Sequence, residues 1–315
     1  MDATLVKTLN SQLLALENDY GSDAIGPIVV HALIRTIDTY TGDTSVQGLT
    51  HELLRLHDAL LDCRPRMAGL ILEVQSALLF LHEHPQATLP QLCEFLDGLL
   101  DTKQSRQRIS IKVANELLRD QPTILLHAYS DTLRAILEQC AERDQRPRVF
   151  VAAQEEEKTD RLVSVLHRSH YDYKVVSEYS IAHIVEQLDL AIFPALTLNN
   201  SGQAVLGPGS TGLVSQLRAV GVKTYMFLTT NKFSFWTDDT ETAFSEVREK
   251  KRGALHFQKT VFSHDDIALD QFTGVITESA ILSPADTRAL FSELQEKWLA
   301  NERLLATLRN GSGSR

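Results

Sequence analysis

A glycine-rich loop near the middle of the chain has the residue types of an anion-binding site. It reads Gly207-Pro208-Gly209-Ser210-Thr211-Gly212 and precedes a stretch with helical spacing. Amides and hydroxyls at the start of a helix can hold a phosphate or another anion, and we favour this interpretation for Gly209, Ser210 and Thr211. A plain helix-capping loop is the second interpretation. The loop also matches the dinucleotide pattern G-x-G-x-x-G, but that pattern follows the first strand of its domain, and this loop follows the fourth predicted strand.

Three other polar residues are candidates for ligand contact. His127 and Ser130 follow the first predicted strand, and Arg64 stands before a proline, where its guanidinium could turn inward to a phosphate. From spacing alone, a structural role is the default for His127 and a surface position for Arg64. The adjacent carboxylates Asp265-Asp266 are interpreted as solvated loop residues. No triad order, P-loop or metal-ligand spacing is evident, so we expect no metal and no cofactor.

The composition narrows the classes of function. The chain has 315 residues, with 31 Lys or Arg against 41 Asp or Glu and a net charge of −10. This balance argues against direct nucleic-acid binding and against an anionic membrane surface, but it leaves room for one local phosphate pocket. The longest apolar run is far shorter than a membrane span. Three widely spaced cysteines and the absence of a signal-peptide pattern favour a cytoplasmic protein with reduced thiols.

The hydrophobic pattern changes at Gln121-Pro122. Before this point apolar residues recur at helical spacing, as Leu49, Leu53 and Leu60 do, which predicts an all-helical N-terminal domain over residues 1–120. After it, short apolar runs alternate with helical segments, which predicts a Rossmann-like, doubly wound α/β domain with a parallel sheet over residues 121–315. The predicted strands are 124–126, 148–152, 174–176, 190–193, 224–228 and 272–277, and helical spacing is also present over 181–187.

The predicted sheet indicates where a ligand would bind. In doubly wound sheets, ligands lie outside the carboxyl ends of the strands, at the point where the strand order reverses. The loops that meet this condition are residues 127–131, 153–159, 194–211 and 229–236. His127, Ser130 and the glycine-rich loop all fall within them.

Several short motifs, taken in their order along the chain, resemble the translation initiation factor 2B α/β/δ family over roughly residues 20–295. The stretch 124–130 and the helical residues after it resemble the family's first strand, loop and helix. The other matching motifs are Cys63-Arg64-Pro65, residues 191–196 with Ser201-Gly202, Gly209-Ser210-Thr211, Asn231-Lys232-Phe233 and Ile281-Leu282-Ser283-Pro284. The family includes 5-methylthioribose-1-phosphate isomerase and ribose-1,5-bisphosphate isomerase, and its members dimerise through the α/β domain.

The chain departs from the isomerase members at the positions that carry their chemistry. In those enzymes a Cys after the strand-one His and an Asp after the fourth strand form the acid/base pair that moves a proton between C1 and C2 of the open-chain sugar. The corresponding residues here are Ala128 and Leu196. The family's Asn-Lys before the glycine loop corresponds to Leu206-Gly207, and an Arg after strand two corresponds to Glu155, so positive charge is lost. The variant His-Ala-Tyr-Ser resembles the non-catalytic α subunit.

The resemblance and these departures together imply a regulatory or binding protein that is not an enzyme. We expect it to form a homodimer through the α/β domain and to bind a sugar phosphate or nucleotide in a cleft between the two domains. One alternative is an aldose–ketose isomerase whose acid/base pair is rewired, with His127 or Asp131 as substitutes. Another is a structural subunit with a vestigial pocket. The expected ligand-binding residues are Arg64, His127, Ser130, Gly209, Ser210 and Thr211.

Overall fold

The N-terminal part of the chain is helical, as its apolar spacing predicts. The computed structural model describes residues 8, 12–13, 22–63, 67–120, 122–153, 156–236, 245–253, 255–262 and 264–312. At the start of the second helix, the Ser45 hydroxyl accepts a hydrogen bond from the Gly48 amide at 3.1 Å, and Leu49, Leu53 and Leu60 are buried along one face. The described helices of this part are α1 (Ser22–Asp38), α2 (Val46–Asp62), α3 (Ala68–Glu83) and α4 (Leu89–Leu117).

The part of the chain after the N-terminal helices contains a doubly wound sheet, which confirms the predicted fold class. Six parallel strands lie in the order β3-β2-β1-β4-β6-β10, and β11 pairs with β10 in the antiparallel sense. The order reverses between β1 and β4, where Leu126 is in register with Val151 on one side and with Ile192 on the other. The strands are β1 (Ile124–Leu126), β2 (Val149–Ala153), β3 (Tyr173–Ser177), β4 (Leu190–Leu198), β5 (Gln203–Leu206), β6 (Lys223–Phe227), β7 (Ser245–Arg252), β8 (Leu255–Phe262), β9 (Asp265–Ala268), β10 (Gly274–Ile276) and β11 (Ile281–Leu282).

Helices connect the parallel strands and continue after the last one. They are α5 (Asp131–Glu142), α6 (Glu156–Arg168), α7 (Ser210–Ala219) and α8 (Pro284–Ser312). The strands β1 and β2 form the centre of the core, where all three residues of β1 are fully buried. None of the helices that the structure describes has both the length and the apolar character needed to cross a bilayer.

The structure differs from the sequence-based expectation in the connection before β4 and in the minor strands. Where the sequence has helical spacing over 181–187, the structure has two short 3₁₀ segments, Glu178–His183 and Val185–Gln187, instead of an α-helix. Strand β5 pairs with β4 in the antiparallel sense. Strand β9 pairs with β5, also antiparallel, and puts Leu206 opposite Asp265. The strands β7 and β8 form a separate two-stranded sheet. These strands are polar or short, so the apolar-run criterion did not detect them.

The chain forms two compact units. One consists of Met1–Arg108, Asn231–Phe233 and Ala289–Arg315, and the other of Ile109–Thr230 and Ser234–Arg288. Most of α8 therefore belongs to the helical unit, although the hydrophobic pattern groups it with the α/β domain. Within the helical unit, Arg309 of α8 donates to Asp58 at 2.7 Å and to the Nδ1 atom of His57 at 3.1 Å, and both partners lie on α2. Charged contacts of this kind leave no periodic signal in the sequence.

Candidate functional site

The polar site of the α/β unit centres on His127, the residue that follows β1. The side chain of His127 is buried, with 2 % of its surface exposed. Its Nε2 atom lies 2.8 Å from Oε1 of Glu178, and its Nδ1 atom lies 3.2 Å from Oγ of Ser210. The residues come from the end of β1, the end of β3 and the start of α7. The fold thus joins three loops at the carboxyl edge of the sheet, where the sequence predicted a site.

The proton positions in this network are coupled. The Glu178 carboxylate can only accept, so Nε2 of His127 donates to it. The Ser210 hydroxyl lies 2.7 Å from the carbonyl oxygen of Gly207 as well as 3.2 Å from Nδ1 of His127. The single proton of this hydroxyl allows two arrangements. Either the hydroxyl donates to the Gly207 carbonyl and accepts from a protonated Nδ1 of His127, or it donates to an unprotonated Nδ1. The first arrangement has an imidazolium ring and the second a neutral imidazole, and both keep the contact with Glu178.

Gly209 is needed for the close approach of the glycine loop to Glu178. Its φ of +94° lies in the left-handed region, where glycine has no steric penalty. A Cβ atom at this position would lie 2.8 Å from Oε2 of Glu178. Ser210 then turns inward and is buried, whereas Gly209 and Thr211 remain exposed. The loop therefore presents one hydroxyl to His127 and its outer residues to solvent.

The amino end of α7 is already in contact with carboxylates of the chain. The Thr211 amide donates to Oδ2 of Asp265, on β9, at 2.9 Å, and the Glu178 carboxylate lies beside Gly209. Acidic groups at this position are favourable because the helix dipole places partial positive charge there. The Thr211 amide, which the sequence analysis assigned to an external anion, is thus already hydrogen-bonded to a carboxylate of the chain. Asp265, interpreted from sequence as a solvated loop residue, is a strand residue that caps a helix.

The remaining candidates from the sequence have different positions. Ser130 is the N-cap of α5, and its Oγ accepts from the Leu133 amide at 3.1 Å. Arg64 lies outside the described residues. Of the six expected ligand contacts, the structure brings His127 and Ser210 into direct contact, with Gly209 and Thr211 on either side of Ser210. The ligand-binding role of the six residues stays a prediction.

Sequence reasoning missed Glu178 and gave Asp265 no role in the site. Glu178 follows the last residue of β3, so the rule that functional groups follow strand ends would have found it if applied to that strand. Asp265 had no comparable signal, because β9 has no apolar run. The acid/base positions suggested by the resemblance have no titratable group: Ala128 is half-buried, and Leu196 of β4 has 41 % of its surface exposed.

The described residues of the site do not form a metal centre. Within the described part of the chain, no three His, Cys, Asp or Glu side chains come together as metal ligands would. The ring of His127 lies 5.5 Å from that of Phe193, which in turn contacts Phe272 edge-on at 6.2 Å. The imidazole is therefore packed on one side against aromatic core residues, and its orientation is fixed by packing as well as by hydrogen bonds.

Strand order and site position define an α/β protein of the doubly wound class with a polar cluster at its switch point. The sequence profile of the Initiation factor 2 subunit family matches residues 18–281, and the chain belongs to this family. No curated protein sequence matches the chain.

Solved structures with the same fold have low sequence identity to this chain. 5-Methylthioribose 1-phosphate isomerase from Pyrococcus horikoshii is 15% identical, with a TM-score of 0.68 over 90% of this chain and 87% of that one. The eIF2B delta subunit from Chaetomium thermophilum is 14% identical, with a TM-score of 0.67 over 87% of this chain and 96% of that one. Translation initiation factor eIF-2B from P. horikoshii is 18% identical, with a TM-score of 0.57 over 81% and 97%. These neighbours therefore include both an enzyme and subunits of an initiation factor.

Proposed function

We propose that this chain is a non-catalytic regulatory or binding member of the Initiation factor 2 subunit family. The observation that most supports this proposal is that Ala128 and Leu196 stand at the two positions that correspond, by the resemblance, to the acid/base pair of the isomerases. Neither side chain can give or take a proton, and loss of a single general acid or base typically lowers a rate by about 10²–10⁴-fold. We also propose a cytoplasmic location, where the thiols of Cys63, Cys93 and Cys140 stay reduced.

The experiment that tests this proposal is a turnover assay. Purified protein is incubated with 5-methylthioribose 1-phosphate and with ribose 1,5-bisphosphate, and ketose formation is followed beside an active isomerase as positive control. We expect no conversion above the enzyme-free rate. Conversion that disappears in His127→Ala would show that the chain is an enzyme with different catalytic groups.

The rewired isomerase is the second candidate function, because one contact favours it. The His127–Glu178 pair, at 2.8 Å, puts an imidazole and a carboxylate at the carboxyl edge of the sheet. The other substitute, Asp131, accepts a hydrogen bond from the Tyr129 hydroxyl at 2.9 Å and lies near Arg134. Glu178→Gln keeps the shape of the network and removes its charge. Turnover lost in Glu178→Gln and kept in Asp131→Asn would establish the His127–Glu178 pair as the catalytic groups.

For the ligand, we propose a phosphate-bearing small molecule at the exposed side of the Gly209–Thr211 loop. The supporting feature is the helix start, but a phosphate must displace Asp265 from the Thr211 amide. Asp265→Asn removes the competing negative charge and keeps a side chain of the same shape. We therefore expect ribose 5-phosphate or inorganic phosphate to raise the melting temperature of Asp265→Asn more than that of the wild type. Equal shifts would show that the ligand does not compete with Asp265 at the Thr211 amide, and no shift in either protein would indicate that the pocket is vestigial.

We further propose that the protein self-associates, in line with the expected homodimer. One solved neighbour is a subunit of the tetrameric eIF2B-beta2-delta2 complex of C. thermophilum, which is 14% identical to this chain at a TM-score of 0.67. Sedimentation velocity at micromolar protein tests this proposal independently of the turnover assay.

A further inference from the structure

The hairpin of β7 and β8 forms a two-stranded sheet of its own. The strands pair from Ser245↔Phe262 to Arg252↔Leu255, and neither pairs with any other described strand. A two-stranded hairpin alone is only marginally stable in water. Its stability therefore requires contacts beyond its own hydrogen bonds.

Large apolar side chains on both faces of this hairpin are exposed to solvent. Leu255 is 68 % exposed and Phe257 50 %, and the register puts both on one face. Val247 at 56 % and Phe262 at 55 % share the opposite face. Clustered exposed apolar groups of this kind mark interaction sites on soluble proteins. The hairpin therefore has the apolar content of a protein interface.

The same hairpin is positively charged in an acidic protein. Residues 245–262 contain five Lys or Arg and two Glu, whereas the whole chain has a net charge of −10. The register puts Arg248 opposite Lys259. Like charges directly opposite each other destabilise a strand pair, so carboxylates supplied from outside would relieve the repulsion. The charge pattern fits an acidic partner.

We propose that the β7–β8 hairpin docks on the acidic surface of a second copy of this chain. The proposal rests on the self-association proposed above and assigns its contact surface. The chain outside the hairpin is more acidic than the total charge, so any second copy offers complementary surface. Two hairpins would repel each other, because edge lysines disfavour strand pairing, so the contact joins a hairpin to a different region. The overall negative charge of the chain favours a protein partner over a nucleic acid.

Two variants test the hairpin by sedimentation velocity over a range of protein concentrations. Phe257→Ser removes an apolar contact, and Lys250→Glu with Lys251→Glu reverses the charge. We expect each to raise the dimer dissociation constant at least tenfold, since a few central residues dominate most interfaces. We also expect the wild-type dissociation constant to rise several-fold between 50 mM and 500 mM salt, because salt screens exposed charges.

The matched controls are exposed residues elsewhere in the same unit. Tyr179→Ser removes an aromatic side chain that is 90 % exposed, and Lys223→Glu reverses the charge of an exposed lysine on β6. Neither should change the dissociation constant, and circular dichroism checks that every variant is folded. A dimer that survives both hairpin variants overturns the proposed contact and leaves self-association intact. A wild type that is monomeric at every concentration overturns the proposal as well, and so does a hairpin that binds RNA instead. Neither outcome affects the result of the turnover assay.

Discussion

Gly209→Ala is the substitution that most specifically disturbs the polar site. Alanine at a φ of +94° is strained, and its Cβ would lie 2.8 Å from Oε2 of Glu178. A non-glycine residue in a sparsely populated backbone region costs about 1–3 kcal/mol. The carboxylate can withdraw from the new methyl group, but it then loses its hydrogen bond to His127. A buried polar group left without its partner costs about 1–3 kcal/mol more.

Gly202→Ala is the matched control for the backbone contribution. Gly202 also has a positive φ, +74°, but a Cβ atom at this position would have no described neighbour within 4 Å. Gly202→Ala should therefore lose only the part of the unfolding free energy that comes from backbone strain. We expect Gly209→Ala to lower the free energy of unfolding by about 1–3 kcal/mol more than Gly202→Ala does. Urea unfolding followed by circular dichroism measures both.

A Glu178→Ala background completes the cycle. In that background the methyl group of Gly209→Ala displaces no carboxylate, so the extra loss should vanish and the two alanine substitutions should cost about the same. The reasoning is refuted if Gly209→Ala and Gly202→Ala are equally destabilising in the wild-type background. It is also refuted if the extra loss persists without Glu178.

Two other predictions concern side chains away from the site. Burial raises the pKa of Asp58, but the neighbouring His57 imidazole and the Arg309 guanidinium, which donates to the carboxylate, outweigh this and hold the pKa below its ordinary value. The pair therefore stabilises the fold fully above the ordinary pKa of a carboxyl group and loses this effect as the pH falls from there through the lowered pKa of Asp58. Arg309→Met should cost about 1 kcal/mol at pH 7 and less at pH 3 in urea unfolding. A loss independent of pH would contradict this. Burial also raises the pKa of the Cys140 thiol to about 11, so iodoacetamide at pH 8 should label half-buried Cys93 and spare Cys140 in peptide mass spectrometry. Equal labelling of native protein would contradict it.

The central strands of the fold were predictable from the sequence because they are buried on both faces. The runs at Ile124–Leu126 and Val149–Ala153 are continuous and apolar, as parallel strands covered by helices must be. The strands β7 and β9 were missed because their residues are polar and partly exposed, so the same criterion has nothing to detect. Helical spacing over 181–187 was misleading, since a few apolar residues fit a 3₁₀ turn as well as an α-helix.

The candidate site was predictable in location but not in its interactions. The rule of strand ends located His127, and helix-start chemistry located Ser210, and the two are in contact. The sequence could not show that Asp265 caps α7, because 54 positions separate it from Thr211 and only the pairing of β5 with β9 brings them together. An acidic residue far away in sequence can therefore occupy an apparent anion site.

Proton exchange at the sugar carbons tests the central claim, the absence of isomerase chemistry, most directly. The protein is incubated with 5-methylthioribose 1-phosphate in deuterium oxide, and the sugar is analysed by mass spectrometry for ketose and for deuterium. An acid/base pair acting between C1 and C2 would exchange that proton with solvent even when net conversion is small. With Ala128 and Leu196 at the acid/base positions, we predict neither ketose nor deuterium above an enzyme-free sample. Deuterium incorporation that is lost in His127→Ala or Glu178→Gln would contradict the claim.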